Sequence, residues 1–223
     1  MKNINKELAN RLDYGEKVYL KDSSGNRYKI EVDYDYNPDN PRKWGPVCHI
    51  MSIKGNWDIA DEGLSFSREG LLDMLDELKI DPNVVIKPIY MYEHSGQTIR
   101  LTPFGDPWDS GICGYIYAIK DEVIREIGNA TEENWKERAE NAMDYEIKVY
   151  DQFISGDVYD FCVYQRDIIE CKSTLNGNIW TTEEWDQIDS CCGFYGHDFE
   201  ANGLIEYALE NLPDDVEIIE EED

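Results

Sequence analysis

The sequence predicts an α+β fold with a mainly antiparallel sheet, several hairpins, a long acidic amphipathic helix at about 131–154 and a C-terminal helix. Three observations support this class. Strand-like and helix-like segments follow each other in mixed order, without the regular alternation of a doubly wound sheet. Short polar turns join consecutive strand-like segments. Residues 131–154 carry apolar side chains at helical spacing.

The first half of the chain is predicted to open with a helix and a hairpin. Residues 4–12 have helical character, and Ser23-Ser24-Gly25-Asn26 forms a turn between strands at 16–22 and 27–35. The following patterns predict a loop over 36–46, a strand over 47–54, a helix over 67–80 capped by Ser67, strands over 84–92 and 97–102, a loop over 103–111 and a central strand over 112–119.

The second half is predicted to contain the long helix and a second group of strands. A short helix over 120–127 precedes the long one, for which Thr131 is the N-cap. The later patterns predict strands over 157–164, 167–172 and 178–181 with a turn at Asn176-Gly177, a short helix from a Thr181–Glu184 capping box through Ile188, a helix over 200–211 and a solvated tail from Pro213.

Negative charge is the most informative feature of the composition. The 223 residues hold 48 Asp and Glu against 21 Lys and Arg, a net charge of −27. Residues 1–120 account for −4 and residues 121–223 for −23. This charge argues against direct binding of nucleic acid or an anionic membrane, since phosphate binding needs clustered Lys and Arg. Its segregation favours an interaction surface.

Charge and patterning together suggest three regions. Residues 1–127 form a mixed β/α region with near-balanced charge, residues 128–212 an acidic α+β region, and residues 213–223 an acidic tail. The first two are also compatible with one continuous domain. The 15 Tyr, 6 Trp and 6 Phe supply enough apolar surface for a folded core, unlike a disordered acidic chain.

The long helix is predicted to have a core-facing stripe and a carboxylate face. The stripe comprises Trp135, Ala139, Met143, Ile147, Tyr150 and Ile154. The acidic residues are Glu133, Glu137, Glu140, Asp144 and Asp151, to which the tail adds Asp214, Asp215, Glu217, Glu220, Glu221, Glu222 and Asp223. Carboxylates one turn apart are about 5–6 Å apart along the helix, close enough to resemble the phosphates of a nucleic acid. A solvated helix face is the simpler interpretation, but the concentrated charge favours a partner-binding surface.

No signal peptide or membrane segment is visible, and the six cysteines show neither a CxxC pair nor a disulfide framework. These features predict reduced thiols in a cytoplasm, and we expect no cofactor and no metal. Two residue groups nevertheless offer an alternative site. His94, Asp106 and Asp109 occupy loops beside a strand, and Cys191 lies near His197 in DSCCGFYGHD. Turn formation explains both groups more simply.

Two blocks carry a resemblance, YMYEHSGQTIRLTPFGDPWDSGICGYIY (90–117) and DSCCGFYGHDFEANG (189–203). They resemble uncharacterised proteins carried by phages and conjugative elements of Gram-positive bacteria. The resemblance implies a mobile-element origin, and with it a location in the cytoplasm of a bacterial host cell, and it supplies no catalytic residues. By charge and genetic setting it suggests an analogy with DNA-mimicking antirestriction proteins and anti-CRISPR inhibitors.

The sequence therefore predicts a non-enzymatic anti-defence inhibitor whose acidic surface blocks the DNA- or RNA-binding groove of a host restriction enzyme or CRISPR effector. The expected partner is a nucleic-acid-binding host protein or ribonucleoprotein, without direct binding of nucleic acid or membrane; the oligomeric state stays open. One alternative is a small cytoplasmic enzyme or nucleotide-handling protein using the residues named above. Another is a binding module that recognises a protein through aromatic side chains, with little dependence on salt.

Overall fold

The computed structural model describes residues 2–55 and 57–220, and it has the predicted α+β architecture. The helices are α1 (Lys2–Arg11), α2 (Arg68–Ile80), α3 (Lys120–Glu126), α4 (Trp135–Ser155) and α5 (Leu204–Glu210), with a 3-10 turn at Pro41–Lys43. The strands are β1 (Lys17–Lys21), β2 (Arg27–Tyr34), β3 (His49–Ile53), β4 (Ser65–Phe66), β5 (Val84–Glu93), β6 (Gln97–Arg100), β7 (Ser110–Ile119), β8 (Val158–Lys172), β9 (Ile179–Tyr195) and β10 (Glu217–Ile219). Among the described residues, no helix is both long and apolar enough to span a bilayer.

The chain divides into two compact units. Unit 1 combines the residues up to Pro38 with those from Gly156 onwards, and unit 2 spans Asp39–Ser155. The predicted boundary at 127/128 therefore lies inside unit 2, between α3 and α4. The charge density changes near this boundary. The fold does not divide there, because α4 packs on the sheet formed by the preceding strands.

Unit 1 is built on one antiparallel sheet in the order β10-β1-β2-β8-β9. The predicted β1–β2 hairpin is present, and β8 joins β2 in a register that places Ile30 opposite Val163. Helices α1 and α5 supply Leu8, Leu204 and other apolar side chains to the core on one face of this sheet. The other face carries the polar side chains of β2 and β8, as expected from strand alternation.

Unit 2 is a second sheet, β4-β3-β7-β5-β6, with a helix layer on each side. Ile50 belongs to the core cluster that contains the α4 stripe, whereas its neighbour Met51 belongs to the cluster with Leu71 and Leu75 of α2. Adjacent strand residues point to opposite faces, so α4 and α2 cover opposite sides. The predicted central strand is β7, and the predicted Ser67 cap accepts the Gly70 N–H at 3.2 Å.

The predicted α4 stripe is confirmed, since Trp135, Ala139, Met143, Ile147 and Tyr150 are buried and Ile154 packs against the same cluster. The predicted start of this helix is too early. Helix α4 begins at Trp135, and residues 132–134 form a turn. In this turn the Thr131 Oγ1 accepts the Glu133 N–H at 3.3 Å. Thr131 therefore caps the turn that precedes α4.

Two expectations for the C-terminal part are wrong. Residues 181–188 form no helix; they belong to β9, where Thr181 pairs with Glu170 and Glu184 with Asp167. A capping box describes only four residues, and the ladder with β8 outweighs it. The tail is not wholly solvated either, since β10 pairs with β1 and Ile218 packs on the core of unit 1.

Candidate partner-binding surface

Most of the excess negative charge lies in the C-terminal segment of unit 1. Residues 1–38 carry seven acids and seven bases, whereas residues 156–223 carry 19 acids and two bases. After Lys172 the chain holds 15 acids and neither Lys nor Arg. Eleven of the twelve carboxylates described in this segment are exposed, and Asp189 is half-buried. The charge therefore lies on the surface of a folded unit.

The acidic residues predicted on the long helix belong to unit 2, and they contribute less net negative charge than the C-terminal segment of unit 1. Glu137, Glu140 and Asp144 are exposed on α4, and Glu133 is exposed in the preceding turn. The Glu140 Oε2 lies 3.3 Å from the Lys87 Nζ, so part of this charge is locally balanced. Helix α4 also carries three bases, which lower its net charge further.

Two carboxylates of α4 hold unit 2 together. The half-buried Asp151 Oδ1 accepts the Ile99 N–H at 2.7 Å and the Thr98 hydroxyl at 2.8 Å. Glu146 lies 2.7 Å from Arg42, and its other oxygen accepts the Val47 N–H at 2.9 Å. Asp151, one of the predicted surface residues, thus has a structural role in anchoring β6.

The predicted acids of the tail are exposed where they are described. Asp215 accepts the Ser23 N–H at 3.3 Å, and Glu220 lies 3.1 Å from Arg11. Asp214 and Glu217 are exposed beside them. The predicted residues Glu221, Glu222 and Asp223 lie outside the described residues. The described tail acids thus surround the β1–β10 edge of the sheet.

Strands β8 and β9 extend beyond the rest of their sheet as a hairpin arm (residues 166–185). The ladder between β2 and β8 ends at Tyr28–Gln165, but β8 and β9 stay paired as far as Lys172–Ile179. Seven residues of β8 therefore reach about 23 Å past β2, at about 3.3 Å per residue. The Asn176-Gly177 turn is confirmed, with Gly177 at φ 72°.

The arm exposes apolar side chains on a chain that is otherwise strongly charged. The exposed fraction is 97% for Leu175, 66% for Ile168 and 50% for Trp180, and Ile169 and Ile179 are exposed as well. An isolated two-stranded ribbon is at best marginally stable in water. Exposed apolar groups concentrated on such a ribbon are typical of an interaction site.

One face of the arm carries carboxylates without a balancing base. Directly paired residues share a face, so Asp167 lies opposite Glu184 on the same side as Trp180 and Ile169. Asp186, paired with Gln165 at the base of the arm, continues this carboxylate face. The two bases of β8, at positions 166 and 172, alternate to the other side. Like charges directly opposite each other destabilise a sheet.

On the opposite face, near the base of the arm, a lysine is balanced by a carboxylate and by two aromatic rings. The Lys29 Nζ lies 4.4 Å from the Tyr164 ring, 5.2 Å from the Trp185 ring and 2.6 Å from Glu31. Burial raises the pKa of Glu31, but hydrogen bonds from Lys29 and Lys17 outweigh it and leave this pKa below its usual value. This cluster positions the ribbon through cation–π and ionic contacts.

The first alternative site is the group of His94, Asp106 and Asp109, and in it His94 contacts Asp109. The His94 Nδ1 lies 3.1 Å from the Asp109 Oδ2 on two exposed loops. Asp106 accepts the backbone N–H groups of Trp108 at 2.7 Å and of Asp109 at 3.1 Å. These two hydrogen bonds lower the pKa of Asp106, and His94 adds to the effect. The Asp106 carboxylate is therefore engaged in shaping its own loop.

In the second alternative site, Cys191 and His197 contact different residues. The Cys191 Sγ contacts the carbonyl of Cys192 at 3.7 Å, whereas the His197 Nδ1 lies 3.4 Å from Asp157. Within residues 2–55 and 57–220, no group of three or more His, Cys, Asp or Glu side chains has the arrangement of a metal site.

Comparison of the chain with protein-family models, with curated proteins and with solved structures gives no match. The candidate surface therefore depends on the geometry alone. The arm does not belong to the surface predicted from the sequence. The signals for it are the Asn176-Gly177 turn and the strand-forming residues Ile179 to Thr182 just after it.

Proposed function

We propose that this chain is an acidic inhibitor, carried by a mobile element, that acts inside the bacterial host cell. It occupies the nucleic-acid groove of a host defence protein, either a restriction enzyme or a CRISPR effector. The observation that carries the proposal is the C-terminal segment of unit 1, with 15 acids and no Lys or Arg after Lys172. A folded scaffold keeps these carboxylates exposed without the entropic cost of ordering a tail.

The physical basis is competition with a polyanion. Duplex DNA carries about one charge per 1.7 Å of its axis, and its binding grooves are lined by Lys and Arg. On a strand, carboxylates two residues apart are spaced about 6.6 Å, and directly paired residues have Cβ atoms about 4.5–5.5 Å apart. A β-ribbon with these spacings presents a dense negative field that steers association with a basic groove.

The test measures inhibition in cells and with purified effectors. Phage plating is compared on restriction-proficient and CRISPR-proficient hosts with and without the protein, and fluorescence anisotropy follows displacement of labelled DNA from each effector. We expect improved plating on at least one host, displacement of the DNA from that effector, and direct binding of the labelled protein to the effector that weakens at least about tenfold between 50 and 200 mM salt. Unchanged plating on every host, or direct binding insensitive to salt, contradicts the proposal.

Two charge-reversal variants locate the surface. The first changes Glu200, Glu206 and Glu210 to Lys in unit 1, and the second makes the same change in net charge on α4 at Glu137, Glu140 and Asp144. We expect the first variant to lose inhibition and the second to retain most of it. The variant His94→Ala, which leaves all acids in place, tests the enzymatic alternative and is expected to inhibit like the parent. Equal inhibition by the parent and the first variant contradicts a C-terminal acidic surface.

A further inference from the structure

Among the described residues of unit 1, the outer edge of β9 is the longest unpaired strand edge. β9 is the last strand of the described sheet, and the ladder recorded for its 17 residues joins it to β8. The backbone N–H and C=O groups on its other side form an open row between Ile179 and Ile188, where nearly every side chain is exposed. Such a row is a template for another extended segment.

We propose that this edge, from Ile179 to Asp189, binds an extended segment containing Lys or Arg by strand addition. The inference rests on the proposed function, because that function supplies a cationic partner. An added strand places alternate side chains over the carboxylate face of the arm. There they meet Glu184 and Asp186, and a cation can also stack on the half-exposed Trp180.

The charge of the edge selects the partner. Asp167 and Glu184 lie opposite each other without a base on their face, an arrangement that costs stability in the free protein. A Lys or Arg of the added strand lies beside Glu184, on the side away from Asp167, where its charge offsets part of this repulsion and adds charge-assisted hydrogen bonds. The bound state therefore gains from the feature that destabilises the free arm.

A second copy of this chain is a poorer occupant of the same edge. β9 carries four acids between residues 183 and 189, and no Lys or Arg occurs anywhere after Lys172. Pairing two β9 edges brings eight carboxylates together with no cation from either strand. Acidic edges of this kind suppress self-association and leave a cationic segment as the complementary partner.

The experiment uses the full-length protein and two synthetic peptides. The first is a fluorescent ten-residue peptide that alternates Lys with Thr. The second has the same sequence, but every second backbone nitrogen is methylated, which keeps the charge and removes half of the N–H donors. We expect the methylated peptide to bind at least about tenfold more weakly. Hydrogen exchange followed by mass spectrometry is expected to show slowed exchange of residues 179–188 only with the first peptide.

Matched variants separate edge binding from general attraction. Glu184→Lys with Asp186→Lys is expected to weaken binding of the first peptide at least about tenfold. Asp73→Lys with Asp76→Lys changes the net charge equally at exposed positions of α2, outside the proposed surface, and is expected to change binding less than about threefold. Equal affinity for both peptides, or protection outside β9, overturns the proposal. So does concentration-dependent protection of 179–188 without peptide, which identifies a second copy as the occupant.

The outcomes also distinguish this inference from the proposed function. If both peptides bind equally while the protein still displaces DNA from an effector, strand addition is wrong and groove blocking stands. If the peptide results are as expected but no effector is inhibited, β9 remains a binding site for cationic segments, and the inhibitor function is wrong.

Discussion

Arg42 is predicted to be the most important single charged residue for the stability of unit 2. Its side chain is only 6% exposed, and it makes two 2.8 Å hydrogen bonds to Asp61 and one of 2.7 Å to Glu146. A further hydrogen bond of 2.6 Å reaches the Cys48 carbonyl. Truncation to Ala leaves two mostly buried carboxylates facing each other without a cation.

The expected loss for Arg42→Ala is about 3–5 kcal/mol, the typical cost of breaking a buried pair by removing one partner. With a urea m-value of about 2 kcal/mol/M, the midpoint of unfolding of unit 2 falls by about 1.5–2.5 M. Arg42→Lys keeps the charge but loses the two-pronged contact, so its loss should be smaller.

Urea unfolding followed by tryptophan fluorescence measures this loss, and hydrogen exchange of β7 assigns it to unit 2. Arg125→Ala is the matched control, because its ion pair with Glu126 is well exposed and screened by solvent, so its loss should have little effect on stability. A loss for Arg42→Ala within about 1 kcal/mol of that control refutes the reasoning, since it means that the network is not needed to compensate buried charge.

Three further predictions concern burial and close packing. Burial, and then the nearby Asp33 and Asp35, raise the pKa of Asp160; Asp160→Asn should therefore stabilise unit 1 at pH 7, by less than about 1 kcal/mol because solvent screens this partly exposed carboxyl group. The urea midpoint should show this gain vanish at pH values where the unfolded Asp is also protonated. Gly114→Ala places a Cβ 2.6 Å from a β3 carbonyl oxygen and should cost about 1–3 kcal/mol by urea unfolding, whereas Gly128→Ala has open space. Burial raises the pKa of Cys113 to about 12, so mass spectrometry after iodoacetamide treatment at pH 8 should find it unlabelled while the exposed thiols of β9 react.

Features encoded within a few residues could be predicted well. The β1–β2 hairpin follows from its turn, and the buried face of α4 follows from helical periodicity. The candidate surface was predicted less well. Charge counting identified an acidic C-terminal part of the chain. It predicted Asp151 and Asp144 alike as surface acids, although of these two only Asp151 has internal hydrogen-bond partners. Those partners lie more than 50 residues away in the chain, so no local pattern contains them.

The sequence by itself determined the α+β class, the excess of negative charge after residue 120 and most element positions, because propensity, periodicity and charge are local properties. Only the tertiary structure decided that both ends of the chain share one sheet, where Tyr19 pairs with Ile219 and Ile30 with Val163. It also decided that residues 181–188 are a strand. Strand pairing depends on which distant segment supplies the partner hydrogen bonds, and a short local helix signal cannot compete with a ladder of that length.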